Sequence, residues 1–101
     1  FPFSDLSQSK NRPALCIADS GRGDWILCQI TSNAYTDPQA VRLDPTDFAA
    51  GGLRMTSYAR PGKLFTANTR IMLRSVAKLN ASSIASLLDK IVKLIRPVGG
   101  P

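Results

Sequence analysis

Residues 13–32, PALCIADSGRGDWILCQITS, hold two apolar runs joined by a short glycine-containing link. Ser20-Gly21-Arg22-Gly23 has the length and composition of a hairpin connection. The runs therefore read as antiparallel strands, Pro13 to Asp19 and Asp24 to Thr31. Neither alternates cleanly. LCIA against WILCQI is near-continuously apolar, which predicts burial on both faces, as in a small barrel or a sheet wrapped by other elements. Pro13 suits the first residue of a strand and pushes Arg12 toward an extended backbone. Taken alone, Arg12 reads as a cation that keeps a strand end soluble.

Downstream the pattern is mostly short strands. Ser32 to Gln39 is a polar loop and Ala40 to Leu43 a short strand, and Asp44-Pro45 and Gly51-Gly52 bracket a turn-rich segment around Phe48. Leu53 to Ala59 reads as a strand that Pro61-Gly62 turns toward Lys63 to Thr66. Residues 73–79, LRSVAKL, alternate with Leu73, Ser75, Ala77 and Leu79 on one side. Asn80 then caps a helix whose apolar face recurs at Ile84, Leu87, Leu88, Ile91 and Ile95, and which ends at Pro97. That stripe reads as core or dimer contact. The fold class is mainly β with a C-terminal helix (α+β), a small barrel or strongly curved antiparallel sheet, in one domain over residues 1–101.

The chain has 101 residues, 44% of them hydrophobic, enough for one modest core without a staple. Cys16 and Cys28 lie inside apolar runs and read as small buried hydrophobes of a reducing compartment rather than a bridge. No run approaches the ~20 apolar residues of a membrane span and no signal peptide is visible, so a cytoplasmic protein is expected. The chain begins Phe1-Pro2-Phe3 without Met, which suggests that the start of the first strand is missing.

Charge is unevenly spread. Residues 1–50 carry a net −2 and residues 51–101 a net +8, nine cations against Asp89. A basic half of this kind suits nucleic acid or an acidic protein partner. His and Glu are absent, which removes Ser-His-Asp and Cys-His chemistry and His-rich zinc sites. No metal or other cofactor is expected.

FPFSDLSQSKNRPALCIADS, GDWILCQITS, DFAAGGL, SYARPGKLF and the helix begun by KLN occur in an order that resembles the PemK/MazF-like family of bacterial toxins from toxin–antitoxin pairs. The resemblance covers nearly the whole chain. It implies an SH3-like barrel or curved sheet of the MazF/PemK/CcdB type, usually homodimeric, without a membrane. It also implies a metal-independent endoribonuclease, an mRNA interferase that cuts single-stranded RNA to 2′,3′-cyclic phosphate and 5′-OH ends and is silenced by an acidic antitoxin. The family's arginine before the second strand falls on Arg12, and its strand-ending threonine falls on Thr31, followed by Ser32.

The hairpin supports that transfer, because it brings the start of one strand beside the end of the next, placing Arg12 and Thr31 at one end of the sheet. A guanidinium matches phosphate and keeps its charge, but with a pKa of roughly 12 or more it is a poor base. Arg12 is thus assigned to charge stabilisation, and Thr31 and Ser32 to hydrogen bonding. Where some relatives place an aspartate, this sequence has Arg60 or a neighbour, so Asp5 is the nearest substitute base. Lys10, Arg60 and Lys63 are candidate RNA contacts, with Ser7, Ser57 and Tyr58 further polar candidates. Tyr35 and Tyr58 are possible stacking platforms, and Trp25 reads as core. Two alternatives stay open: a same-fold toxin that poisons DNA gyrase without cutting RNA, and a catalytically silent nucleic-acid-binding domain.

Overall fold

Seven strands and one helix follow one another in a computed structural model that describes residues 2–6, 13–34 and 36–96, with backbone alone at 2–6, 73 and 74. The strands are β1 (Pro2–Leu6), β2 (Pro13–Gly21), β3 (Asp24–Thr31), β4 (Val41–Leu43), β5 (Phe48–Gly51), β6 (Ser57–Asn68) and β7 (Met72–Leu79), and the helix is α1 (Ala81–Ile95). All pair antiparallel in one sheet, in the order β4-β6-β3-β2-β1-β7-β5.

The expected hairpin forms β2 and β3 and is tighter than the four-residue link read from sequence. Gly21 pairs with Asp24, leaving only Arg22 and Gly23 in the loop, both at positive φ (58° and 80°). That conformation matches the twist of the flanking strands.

Burial on both faces follows as expected. Leu15, Ile17, Cys28 and Ile30 join Leu43, Ala59, Ala77 and Leu79 under the helix residues Ile84, Leu87 and Ile91. On the other face Ala14, Cys16 and Leu27 pack with Ala67 against Trp25, Phe65, Ile71 and Met72. β4 and β7 stand five places apart in the sheet yet meet in the first cluster, so the sheet is curled around α1 into a half-barrel. Cys16 and Cys28 are buried and not joined in a disulfide, and they belong to opposite faces. Asn80 caps α1 as expected, its side chain accepting from the N–H of Ser83 at 2.8 Å. Ser83 Oγ in turn donates to Asp47 at 2.7 Å, which ties the helix start to the turn Pro45–Asp47.

Four local expectations are corrected. Pro61-Gly62 does not end a strand: β6 runs through it for 12 residues. Cys28 pairs with Leu64 and Gln29 with Arg60, so residues 61–63 bulge out between two successive partners on β3. A bulge is where a strand tolerates proline, since no ladder N–H is required there. Leu53 to Thr56 lie outside β6. The stretch from Phe48, read as turn, is instead strand β5, paired with β7. In β7 the register with β1 jumps at Val76, so Ser75 is exposed while Ala77 and Leu79 are buried.

Gly51 is the position where close approach demands glycine. Its φ is +64°, and a Cβ there would lie 2.5 Å from the Val76 carbonyl oxygen. Gly51→Ala is expected to destabilise the protein by about 1–3 kcal/mol, read as a lower thermal midpoint, whereas an unchanged midpoint would contradict this packing.

Candidate functional site

Strand pairing gathers several chain segments at one end of the sheet. β2 begins there with Pro13, whose partner on β1 is Asp5, and β3 ends there with Thr31. β6 begins there too, with Thr31 opposite Tyr58 and Gln29 opposite Arg60, and β4 adds Arg42 on the far side of Tyr58. Ile30 and Ala59, paired between these rows, are buried in the core beneath α1. Alternation therefore puts Gln29, Thr31, Tyr58 and Arg60 on the opposite face.

Arg60 is held by two bonds. Its Nε donates to Asp37 Oδ2 at 2.7 Å and its Nη1 to Gln29 Oε1 at 2.8 Å. Both partners of the ion pair are well shielded, with side chains 25% and 12% exposed for Arg60 and Asp37. Asp37 Oδ1 also accepts the N–H of Gln39 at 2.9 Å. The bond from Arg60 holds the Asp37 carboxyl below its ordinary value, helped by the Gln39 N–H and by the charges of Arg60 and Lys63. A carboxylate so stabilised is a poor proton acceptor. Cys28 donates its thiol to the Arg60 carbonyl at 3.2 Å, and burial pushes its pKa up to about 11, so it is not a ready nucleophile.

Thr31 closes a tight turn. Its Oγ1 accepts the Asn33 N–H at 3.1 Å and donates to the Asn33 carbonyl at 3.0 Å. The hydroxyl is fixed in direction and keeps one further acceptor position. A cleft of about 150 Å³ opens beside it, lined by Ser32, Asn33, Ala34 and Tyr58.

Of the residues named from sequence, Thr31, Ser32, Tyr58, Arg60 and Lys63 occupy this end of the sheet. Ser32 and Lys63 are exposed and Tyr58 is half-buried. Ser57 is 6% exposed and donates its hydroxyl to the Met55 carbonyl at 2.9 Å, a bond internal to the approach of β6. For Asp5 the backbone register places the residue opposite Pro13. Ser7, Lys10, Arg12 and Tyr35 lie outside the described residues. Asp37 and Gln29 were missed by sequence reading. The available signal was Arg60 itself, a cation set between Ala59 and Pro61, both buried, which calls for a counter-charge. Among the described residues no three carboxylate or thiol groups converge as metal ligands.

The family model described as PemK-like, MazF-like toxin of type II toxin–antitoxin systems matches residues 2–95. Among solved structures, the Mycobacterium tuberculosis toxin MazF-mt6 is 20% identical over 94% of this chain and 96% of its own, with a TM-score of 0.76. MazE–MazF of Deinococcus radiodurans is also 20% identical, over 93% and 90%, with a TM-score of 0.74. An endoribonuclease in complex with its cognate antitoxin from a mycobacterial species is 12% identical over 99% and 91%, with a TM-score of 0.73. No curated protein sequence matches the chain.

If Asp37 is an ionised brace, its contribution is present above the ordinary carboxylate value of 3.8 and is lost as pH falls through its lower folded-state value. Asp37→Asn should lower the thermal midpoint at pH 7, and the gap from the parent should narrow as the pH is taken below 3.8. Melting curves across that range check this; a gap independent of pH would show that the pair adds nothing.

Proposed function

The chain belongs to the PemK-like, MazF-like toxins of type II toxin–antitoxin systems, and from that premise we propose that it is a metal-independent endoribonuclease acting on single-stranded RNA in the cytoplasm. The observation that carries this reading is the convergence of the start of β2, the end of β3 and the start of β6, which sets Thr31 beside Tyr58 at the strand end that Arg12 precedes in sequence.

The reaction is an internal displacement. The 2′-oxygen forms a bond to phosphorus, the bond to the 5′-oxygen breaks, the 2′-OH proton goes to a base and the leaving oxygen takes a proton. Arg12 neutralises charge developing on the phosphoryl oxygens, and its guanidinium fork suits that geometry. Thr31 positions the 2′-OH or a phosphate oxygen through the acceptor site its turn leaves open. Asp37 is held in its pair with Arg60, so the base is assigned to Asp5, whose backbone stands opposite Pro13. Lys10 and exposed Lys63 supply phosphate attraction. Arg60 adds less, because Asp37 neutralises it locally.

The family also supports a homodimer and an acidic antitoxin. Val92 and Ile95, 58% and 71% exposed and one turn apart near the end of α1, form an apolar surface that a second copy would cover. Sedimentation should then give twice the 10.9 kDa chain mass. An acidic, partly disordered segment would be drawn to the basic half, and saturating antitoxin should abolish cleavage.

A long defined RNA incubated in excess EDTA should be cut to 2′,3′-cyclic phosphate and 5′-OH ends. Arg12→Ala should lower kcat by roughly 10²–10³ while remaining folded. Thr31→Val, which keeps the β-branched shape, should cost about tenfold. Asp5→Asn should flatten the acidic limb of the pH–rate profile, since the base must be ionised to act. Cutting that requires added metal, a fully active Arg12→Ala, or intact RNA alongside falling gyrase supercoiling would overturn the reading.

A further inference from the structure

We propose that the seam between the two edge strands of the sheet, β4 and β5, docks an extended acidic peptide segment that inserts one bulky apolar side chain. The inference rests on the toxin–antitoxin reading only for the source of such a segment, which an acidic antitoxin would supply.

Topology makes the seam. β4 and β5 follow one another in the chain yet stand at opposite ends of the sheet order, β4 pairing with β6 and β5 with β7. The curl brings both edges to one cleft, which Arg42 and Leu43 line from β4 and Phe48 and Gly51 from β5. Among the described residues the two strands do not pair with each other, so each keeps one side of its backbone outside the ladder. Such an edge is a template for an added strand, where main-chain bonds supply affinity and a side-chain pocket supplies selectivity. Leu53 and Arg54 continue the wall past β5 and have no hydrogen-bond partner among the described residues.

The pocket is present as well. The cleft holds about 300 Å³, twice the volume beside Thr31 and at the lower edge of the ~300–1,000 Å³ typical of ligand pockets. Its apolar lining is continuous with the main core, since Leu43 belongs to that cluster and Phe48 and Leu53 pack against it. Met55 is 66% exposed, an unbranched thioether able to fold over an inserted side chain.

Charge sets the sign of the partner. Arg42 is paired with Asp44 at 2.8 Å, an exposed bond that occupies the one carboxylate of the lining. Arg54 is exposed and has no carboxylate partner among the described residues. The seam is therefore cationic, in a chain whose second half carries a net +8. An acidic peptide satisfies the open ladder, the apolar lining and the cation together. Because Arg42 stands opposite Tyr58 on β6, a segment lying in the seam runs alongside the strand end at which cutting is proposed.

The test titrates the isotopically labelled full chain with a capped synthetic peptide, a phenylalanine flanked on each side by two glutamates, and follows the backbone amide shifts. They should concentrate on residues 42–43 and 48–56, and replacing the peptide's phenylalanine by alanine should weaken binding by roughly 10- to 100-fold. Gly52→Phe should fill the cleft and abolish binding with the thermal midpoint unchanged, because a Cβ at Gly52 meets nothing within 4 Å. Met55→Asp, at a mostly exposed position, should give the same loss and decides the matter if Gly52→Phe does not fold. Arg54→Gln should weaken binding about two- to fivefold, a difference that high salt should erase. No binding at millimolar peptide, equal binding of the alanine peptide, shifts centred elsewhere, or 3-phenylpropionate taking the seam as tightly as the peptide overturns the docking site. Peptide seated in the seam of a protein that leaves RNA intact in EDTA would instead sink the ribonuclease reading and leave the docking site standing.

Discussion

The structure depends on β2 and β3 being apolar on both sides. Leu15, Leu27, Cys16 and Cys28 are almost wholly withdrawn from water, two toward each face of the sheet. One face therefore has to be covered by α1 and the curl of β4, β6 and β7, and the other by the shorter cluster from Trp25 to Met72. Burying a side chain of leucine size is worth about 1.5–3 kcal/mol relative to exposure. Leaving either face bare would forfeit several such contributions, a large part of the stability of a domain this small. Curvature follows, because a flat sheet could not bring strands five places apart onto one helix.

The same constraint locates the site. The second cluster draws on Ala14, Cys16, Leu27 and Ala67, and runs out before the end of β3. Past that edge, positions that would otherwise be core are filled by Gln29, Thr31, Tyr58 and Arg60. Polar groups there must satisfy one another or face solvent. They do both: Arg60 takes Gln29 and Asp37, Thr31 takes the Asn33 backbone, and the ring of Tyr58 is left lining a cleft. The bulge at residues 61–63 belongs to this transition, since it lets Arg60 pair with Gln29 while Leu64 still pairs with Cys28.

Sequence reading recovered what local pattern determines. The hairpin, the Asn80 cap, the helix stripe and the two-faced burial are all encoded by neighbours in the chain. The Pro61-Gly62 break was misread because a proline's cost depends on whether its missing N–H has a partner across the sheet, and that is a property of register. Asp37 was missed for a related reason. It stands 23 residues before Arg60, and only the return of the loop from β3 makes them neighbours. The family resemblance proposes Arg12 and Thr31 because the order of motifs along the chain carries it, whereas a loop-borne partner such as Asp37 leaves no such trace.

Net charge alone would suggest that every cation in the basic half attracts a polyanion, yet the pairing here divides them. Arg60 is neutralised locally and kept rigid, so its influence on a phosphate a few ångströms away is partly cancelled by the carboxylate it holds. Lys63, two residues past the start of the bulge and exposed, keeps its charge toward solvent and contributes to the long-range field. A guanidinium committed to Asp37 and Gln29 fixes the shape of the loop, while an ammonium on a flexible stem adds attraction without direction. Two cations of one β-strand are thereby put to different uses: Lys63 adds charge that faces solvent, and Arg60, bonded to Asp37 and Gln29, holds the loop opposite Tyr58.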